Sequence, residues 1–211
     1  MGTLALAKYG IDLHKLLGLH FFLAPSFRIW QLVTYQFLHE GFQHIFFNMF
    51  AVWMFGRIME VQWGSKKFLI FYLLCGIGAG LMQELCQFVH YGLVYSHYKV
   101  VAIGNGMTIP MMQYLDRILT VGASGAVYGI LLGYGMTFPN NQLFIIPLPF
   151  PIKAKWLVIG YVILELGLGI RGSAADNVAH FAHLGGMLTG FLILLYWKHK
   201  ERKDNHINFT W

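Results

Sequence analysis

Charged residues are scarce in this chain of 211 residues: they make up 11% of it, whereas hydrophobic residues make up 57%. So little ionic surface cannot solvate a globule of this size, and so much apolar surface cannot be hidden inside one. The composition therefore excludes a soluble globular protein and indicates a membrane protein.

Cysteine is also scarce, with only Cys75 and Cys86 present. Both fall in one apolar segment, about three helical turns apart, so they cannot bridge one another within it and do not indicate a redox compartment.

The formal net charge is +6, but the basic residues flank apolar runs and fill the tail from Lys198 to Lys203. Because they do not cluster on one polar face, they favour membrane flanks, and no nucleic-acid partner is predicted.

Apolar segments recur along the chain, separated by connections rich in glycine, proline and charge. They predict five membrane spans, at about residues 44–58, 68–89, 123–138, 156–170 and 179–197. The apolar stretch 4–7 is far too short to span and is interpreted as the end of a truncated first transmembrane helix. We therefore expect an all-α membrane protein, one polytopic helical bundle over residues 1–211 with a polar basic tail at 198–211.

The connections and the basic residues predict how this bundle lies in the bilayer. The segment 9–43 suits the membrane interface, and the prolines within 139–155 prevent that connection from being helical throughout. With alternating spans, more Lys and Arg lie on the side of the tail, and on shorter connections. We expect a multi-pass protein of the plasma membrane, or of a bacterial inner membrane, with a cytoplasmic C-terminal tail.

Polar side chains at bilayer depth point to function, because each is costly there unless it is paired. Ser124 lies between Gly122 and Gly125, and Gly125, Gly129 and Gly133 form a ridge of small residues at four-residue spacing. Such a ridge allows another helix to approach closely. A serine at a glycine-lined helix start also has an exposed hydroxyl beside backbone N–H groups that can bind an oxyanion. Packing and catalysis are both compatible with this pattern.

A second ridge, Gly186 and Gly190, follows His183. Docking of the two ridges would bring His183 beside Ser124, whose hydroxyl is a poor nucleophile until a neighbouring base takes its proton. Tyr128 lies one turn beyond Ser124 on the same helix face and is placed to support the imidazole ring. A lone buried histidine is otherwise more often structural than catalytic.

A third polar group contains His39, His44 and Asn48. His44 and Asn48 share a helix face, so their N–H donors suit an oxyanion hole, or equally hydrogen bonds between helices. His39-Glu40 followed by His44 looks like the zinc motif H-E-x-x-H, but the longer spacing would make the two histidines diverge by roughly 140°. No metal and no cofactor is therefore predicted.

Together these motifs resemble the rhomboid family of intramembrane serine proteases, and the resemblance covers nearly the whole chain. The matching residues are the run 30–39, His44, Asn48, Gly56, Glu60, Trp63, Gly64, the run 122–125 with Ser124, Tyr128, His183, Gly186 and Gly190. The resemblance implies a rhomboid-like helical bundle in which Ser124 is the nucleophile and His183 the general base, a dyad without a carboxylate. It also implies that His44, Asn48 and the Ser124 backbone N–H bind the oxyanion, that Tyr128 packs on His183, and that His39 supports a hydrated cavity.

The function implied is that of a serine endopeptidase that cleaves single-span membrane proteins within the lipid bilayer. Two alternatives are a rhomboid-like pseudoprotease, which binds membrane helices without cutting them, and a channel or transporter. Pseudoproteases typically lack a residue of the dyad, which is complete here, and the paired broken spans of a transporter are not found. Gln31 departs from the family pattern, in which arginine often follows the tryptophan, so the resemblance does not specify how the first loop is held.

Overall fold

The computed structural model describes residues 12–144, 149–171 and 174–204, and this part of the chain is mainly helical. Its helices are α1 (Leu13–Leu17), α2 (Gln31–Thr34), α3 (Gly41–Ala51), α4 (Arg57–Trp63), α5 (Ser65–His90), α6 (Met111–Arg117), α7 (Ser124–Thr137), α8 (Ala154–Arg171) and α9 (Ala174–Asp204). A 3-10 turn (Tyr35–Phe37) follows α2, and π-helical turns join α3 to α4 (Val52–Gly56) and extend α5 (Tyr91–Tyr95). The remnant of a first span that the sequence predicts at 4–7 lies outside the described residues.

Short antiparallel strand pairs tie the connections together. They are β1 (Leu19–His20) with β4 (Leu119–Thr120), β2 (Val100–Gly104) with β3 (Met107–Pro110), and β5 (Gln142–Leu143) with β6 (Ile152–Lys153). The β2–β3 turn passes through Asn105, whose φ of 50° lies in the left-handed region that asparagine tolerates better than most residues. The β5–β6 pair lies in the proline-containing connection, which is non-helical at 139–144 and 149–153 and is therefore not helical throughout, as the sequence predicts.

The five apolar segments predicted as spans correspond to the five long helical stretches, and the all-α fold class is confirmed. Within the described residues, Ser65–Tyr95 and His180–Lys203 are long and apolar enough to qualify as candidate membrane spans by length and composition. Helix α7 is shorter, at 14 residues, and about half of it is fully buried. It therefore lies inside the bundle, where a helix can be shorter than the bilayer is thick.

The glycine ridges place α7 against its neighbours. A Cβ atom on Gly186 of α9 would collide with the backbone carbonyl of Gly125 on α7, and one on Gly190 would lie 3.3 Å from the sulfur of Cys75 on α5. A Cβ on Gly129 would lie only 2.6 Å from the same sulfur. The backbones of α7 and α9 thus meet directly, and the Cys75 side chain of α5 contacts both helices at distances that only glycine permits here.

Gln31 fastens the loop that precedes α3. Its side chain is 1% exposed. Its Oε1 accepts hydrogen bonds from the backbone N–H groups of Arg28 (3.0 Å) and His20 (3.4 Å). Its Nε2 donates to the carbonyl oxygens of Ser26 (3.1 Å) and Leu16 (3.3 Å). One neutral amide thus satisfies four backbone groups and holds the loop from its buried side. Gln31 therefore holds this loop at the position where the family often has arginine.

We expect Gly186→Ala to lower the midpoint of thermal unfolding in detergent, because the added methyl group must push α9 away from the Gly125 carbonyl. Overpacking of this kind costs about 1–3 kcal/mol. Gly167→Ala on α8 is the matched control, since among the described residues no atom outside the local backbone of α8 lies within 4 Å of a Cβ there. Equal midpoints for the two variants would contradict the close α7–α9 contact.

We expect Gln31→Leu to destabilise the protein by about 1–3 kcal/mol, because four backbone groups lose a hydrogen-bond partner in a buried site. Gln36→Leu is the matched control: Gln36 is also 1% exposed, but neither atom of its amide has a hydrogen-bond partner within the described residues. Chemical or thermal unfolding of both variants gives the comparison. A loss for Gln36→Leu as large as that for Gln31→Leu would show that the hydrogen bonds of Gln31 are not what holds the loop.

Candidate active site

Ser124 is the first residue of α7, and the backbone before it is shaped by Gly122. Gly122 has a φ of +132°, a conformation that side chains rarely allow, and its N–H donates to the Tyr35 carbonyl at 3.0 Å. Ala123 provides no side-chain cap for the helix. The first N–H groups of α7 therefore have no partner within the helix and are available to an acceptor at this end.

His183 of α9 lies in hydrogen-bonding contact with Ser124. Its Nε2 is 2.9 Å from the Ser124 Oγ, and both side chains are half-buried. The ring of Tyr128, one turn along α7, stacks on the imidazole with centroids 4.2 Å apart and planes 13° apart. The structure thus brings together the three residues on which the predicted dyad depends, and the docked glycine ridges of α7 and α9 set their separation.

Glu165 of α8, which the sequence analysis did not single out, contacts the other side of His183. Its Oε2 is 3.1 Å from the His183 Nδ1 and 2.6 Å from the Nδ1 of His180. Glu165 is 3% exposed. An ionised carboxylate only accepts hydrogen bonds, so both histidines donate their Nδ1–H to it. A signal was present in the sequence, because an acidic residue inside an apolar helix marks a functional position by default.

His44 lies against the backbone that leads to Ser124. A Cβ on Gly122 would lie 2.8 Å from the His44 Nε2, so only glycine leaves room for the ring. The His44 Nδ1 accepts the backbone N–H of Glu40 at 3.4 Å, which leaves Nε2 as the protonated nitrogen and a donor. Asn48, one turn further along α3, is buried, and its Nδ2 has no acceptor within the described residues. Within the part of the chain that the structure describes, both predicted oxyanion donors thus have an N–H without an acceptor.

His39 packs beside His44, with ring centroids 5.1 Å apart in an edge-to-face arrangement. Burial, together with the proximity of His44, lowers the pKa of His39. The shift favours the neutral ring, because a buried imidazolium would lose hydration next to a second histidine. The His39 ring thus contacts His44, and its lowered pKa disfavours a second positive charge there.

A cavity of about 690 Å³ reaches Ser124 and His183 from the connections before α3 and α7. Its lining is mixed, with apolar residues beside several polar ones, among them His44, Gln83, Gln87, Tyr95 and Thr120. A cavity with hydrogen-bonding groups along its wall can hold water. The candidate nucleophile therefore lies at a polar opening, although its helix is buried.

One cluster in the described part of the chain has the composition of a metal site. Glu165, His180 and His183 each offer a ligand atom, and these atoms lie within 4.8 Å of one another. The carboxylate oxygen is only 2.6 Å from the His180 nitrogen. A metal ion held at about 2.0–2.2 Å from each ligand would keep those atoms further apart. The arrangement is that of direct hydrogen bonds between the side chains.

A family model described as the Rhomboid domain matches residues 26–200, which is most of the chain and contains every side chain of the site above. The chain belongs to the rhomboid family. Rhomboids are integral membrane proteins, in agreement with the composition and with the two candidate spans.

Individual rhomboids are similar to this chain at moderate identity. RHOMBOID-like protein 6, mitochondrial, of Arabidopsis thaliana is 29% identical over 164 residues, covering 78% of this chain and 42% of that protein. Rhomboid protease GluP of Bacillus subtilis is 30% identical, covering 77% of this chain and 25% of that protein. Rhomboid protease GlpG of Yersinia pseudotuberculosis is 26% identical over 170 residues, covering 81% of this chain and 48% of that protein. The chain thus spans less than half the length of each of these rhomboids.

Proposed function

We propose that this rhomboid is an intramembrane serine endopeptidase that cleaves single-span membrane proteins, with Ser124 as nucleophile and His183 as general base. The observation that carries the proposal is the 2.9 Å contact between the Ser124 Oγ and the His183 Nε2 at the cavity. Membership of the family supports the reaction class, since two of the similar proteins are named rhomboid proteases.

From this contact the peptide bond is hydrolysed through an acyl-serine intermediate, with His183 transferring the protons. The Ser124 Oγ attacks the carbonyl carbon of the scissile peptide while its proton passes to the His183 Nε2. The carbonyl π electrons move to oxygen, which gives a tetrahedral intermediate. When this intermediate collapses, the C–N bond breaks and the Nε2 proton goes to the leaving amine. Water then adds to the acyl-serine, gives its proton to Nε2, and the C–Oγ bond breaks as that proton returns to Oγ.

Stabilisation of the oxyanion is assigned to His44, Asn48 and the backbone N–H of Ser124. The support is that the His44 Nε2 is a donor beside Gly122, that the buried Asn48 Nδ2 has no acceptor among the described residues, and that α7 starts without a side-chain cap. Donors that are held in place before the reaction act on charge that develops in the transition state, where they contribute most. His39 is assigned a supporting role through its contact with His44.

We further propose that the site opens on the side of the membrane opposite the basic tail, which we place in the cytoplasm. His183 is the tenth of the 31 residues of α9, and Lys198 to Lys203 follow about 22–30 Å further along the helix axis. That distance approaches the thickness of the hydrocarbon core. A non-cleaving pseudoprotease is not favoured, because the serine and the histidine are both present and in contact.

Ser124→Ala and His183→Ala should each abolish nearly all cleavage of a helical reporter in liposomes, and the double variant should lose no more than either single one. The reason is that the two side chains act as a unit. Ser65→Ala and His199→Ala, which change exposed residues of the same types, are the controls and should retain activity. Substantial cleavage by a folded Ser124→Ala or His183→Ala protein would rule out the dyad.

Asn48→Ala should lower kcat by up to about 10²–10³-fold and leave KM nearly unchanged, because an oxyanion donor acts in the transition state. Part of the activity should survive through His44 and the Ser124 backbone N–H. Asn141→Ala is the control: Asn141 is exposed and its Nδ2 donates to the Tyr134 hydroxyl at 3.2 Å beyond the far end of α7, so its loss should leave kcat unchanged. If Asn48→Ala lowered only the unfolding midpoint, Asn48 would be an interhelical hydrogen-bonding group and the oxyanion role would be withdrawn.

A further inference from the structure

Glu165 lies on the face of α8 that packs against the other two helices of the site. Tyr161, one turn earlier, meets the ring of Tyr128 edge to face at 5.8 Å. Gly169, one turn later, leaves room for α9, because a Cβ there would lie 3.5 Å from the Cβ of His180. Glu165, between them, is the polar residue of this face and reaches His183. The packing of α8 therefore places its carboxylate at the imidazole.

The contacts of this carboxylate fix the chemical state of His183. Because Glu165 accepts the Nδ1–H at 3.1 Å, the proton of the neutral imidazole is on Nδ1 and the lone pair is on Nε2. That lone pair faces the Ser124 Oγ at 2.9 Å. The opposite tautomer would leave the buried carboxylate without this donor and would place an N–H against the serine hydroxyl.

We propose that Glu165 is a positioning residue for His183, so that Ser124, His183 and Glu165 act as a triad; this inference rests on the proposed function. The dyad implied by the family resemblance has no carboxylate, and Glu165 is the departure from it. When the Ser124 proton reaches Nε2, the imidazolium that forms stays hydrogen-bonded through Nδ1–H to the carboxylate, and Glu165 itself takes no proton. A charge this close to the developing imidazolium stabilises the transition state, because the carboxylate itself is buried and is therefore screened little by solvent.

His180 gives the carboxylate a second donor. Its Nδ1 is 2.6 Å from the same Oε2. Two histidine donors on one turn of α9 compensate the burial of a charge that an apolar helix would otherwise tolerate poorly. They also fix the carboxylate rotamer, so that Glu165 is oriented before substrate binds.

The test compares Glu165→Gln with Glu84→Gln in cleavage of a single-span reporter reconstituted in liposomes. Both variants neutralise a buried carboxylate of an apolar helix, but Glu84 bonds the backbone N–H of Phe22 at 2.7 Å and does not contact the dyad. We expect Glu165→Gln to lower kcat by about 10²–10⁴-fold with KM nearly unchanged, because the amide no longer enforces the Nδ1–H tautomer. The acid limb of its pH–rate profile should move to lower pH, and Glu165→Asp should restore part of kcat. Glu84→Gln should leave kcat and the profile unchanged.

A Glu165→Gln protein whose kcat stays within about threefold of the unmodified chain, with the same pH–rate profile, would overturn the triad. If that variant does not fold, ¹⁵N NMR of the histidines in the unmodified chain decides, with His180→Asn used for assignment. Protonation of His183 on Nδ1 supports the triad, and protonation on Nε2 overturns it. Loss of activity with a chelator and its recovery with zinc would also overturn it, because Glu165 would then be a metal ligand.

The proposed function and the triad can fail separately. If cleavage persists in Ser124→Ala, the proposed function is wrong and the triad falls with it. If cleavage is lost in Ser124→Ala but retained in Glu165→Gln, the dyad stands and only the role of Glu165 is overturned.

Discussion

The backbone contact between Gly125 and Gly186 sets the distance between α7 and α9, and the candidate site is built on that distance. Ser124 and His183 belong to different helices, and each lies within one turn of its ridge glycine. Their 2.9 Å contact therefore requires the two backbones to meet where they do. Apolar side chains have no hydrophobic drive to associate in lipid, so close packing of small residues carries more of the interaction than it does in water. A single methyl group at this contact would separate Ser124 from His183.

A low-dielectric environment also explains why the buried side chains of Gln31 and Glu165 each have several hydrogen-bond partners. Gln31 meets four backbone groups of the first loop, and Glu165 meets two imidazoles. An unpaired polar group costs several kcal/mol in hydrocarbon, so each such residue needs partners that the fold must bring to it. The loop and the site are ordered by the same requirement, although one uses a neutral amide and the other a carboxylate.

The sequence predicted the features that depend on periodicity within one helix. The ridge at Gly125 and the ridge at Gly186 indicated that two helices dock, and the position of Ser124 and His183 beside those ridges indicated which side chains would meet. The hydrogen bond between Glu165 and His183 could not be predicted from periodicity within one helix, because it depends on how α8 is rotated about its own axis. That rotation is decided by packing of Tyr161 and Gly169 against other helices, and apolarity alone gives α8 no preferred face.

The three-helix junction also encloses Cys75, which is fully buried and touches both glycine ridges, whereas Cys86 on the same helix is partly exposed. A thiol reagent can reach Cys75 only after α5, α7 and α9 have separated, while Cys86 reports general access of the reagent to α5. The reactivity of Cys75 relative to that of Cys86 thus reports on opening of the bundle. Their relative alkylation rates measure, without any added label, how often the junction that holds Ser124 against His183 comes apart.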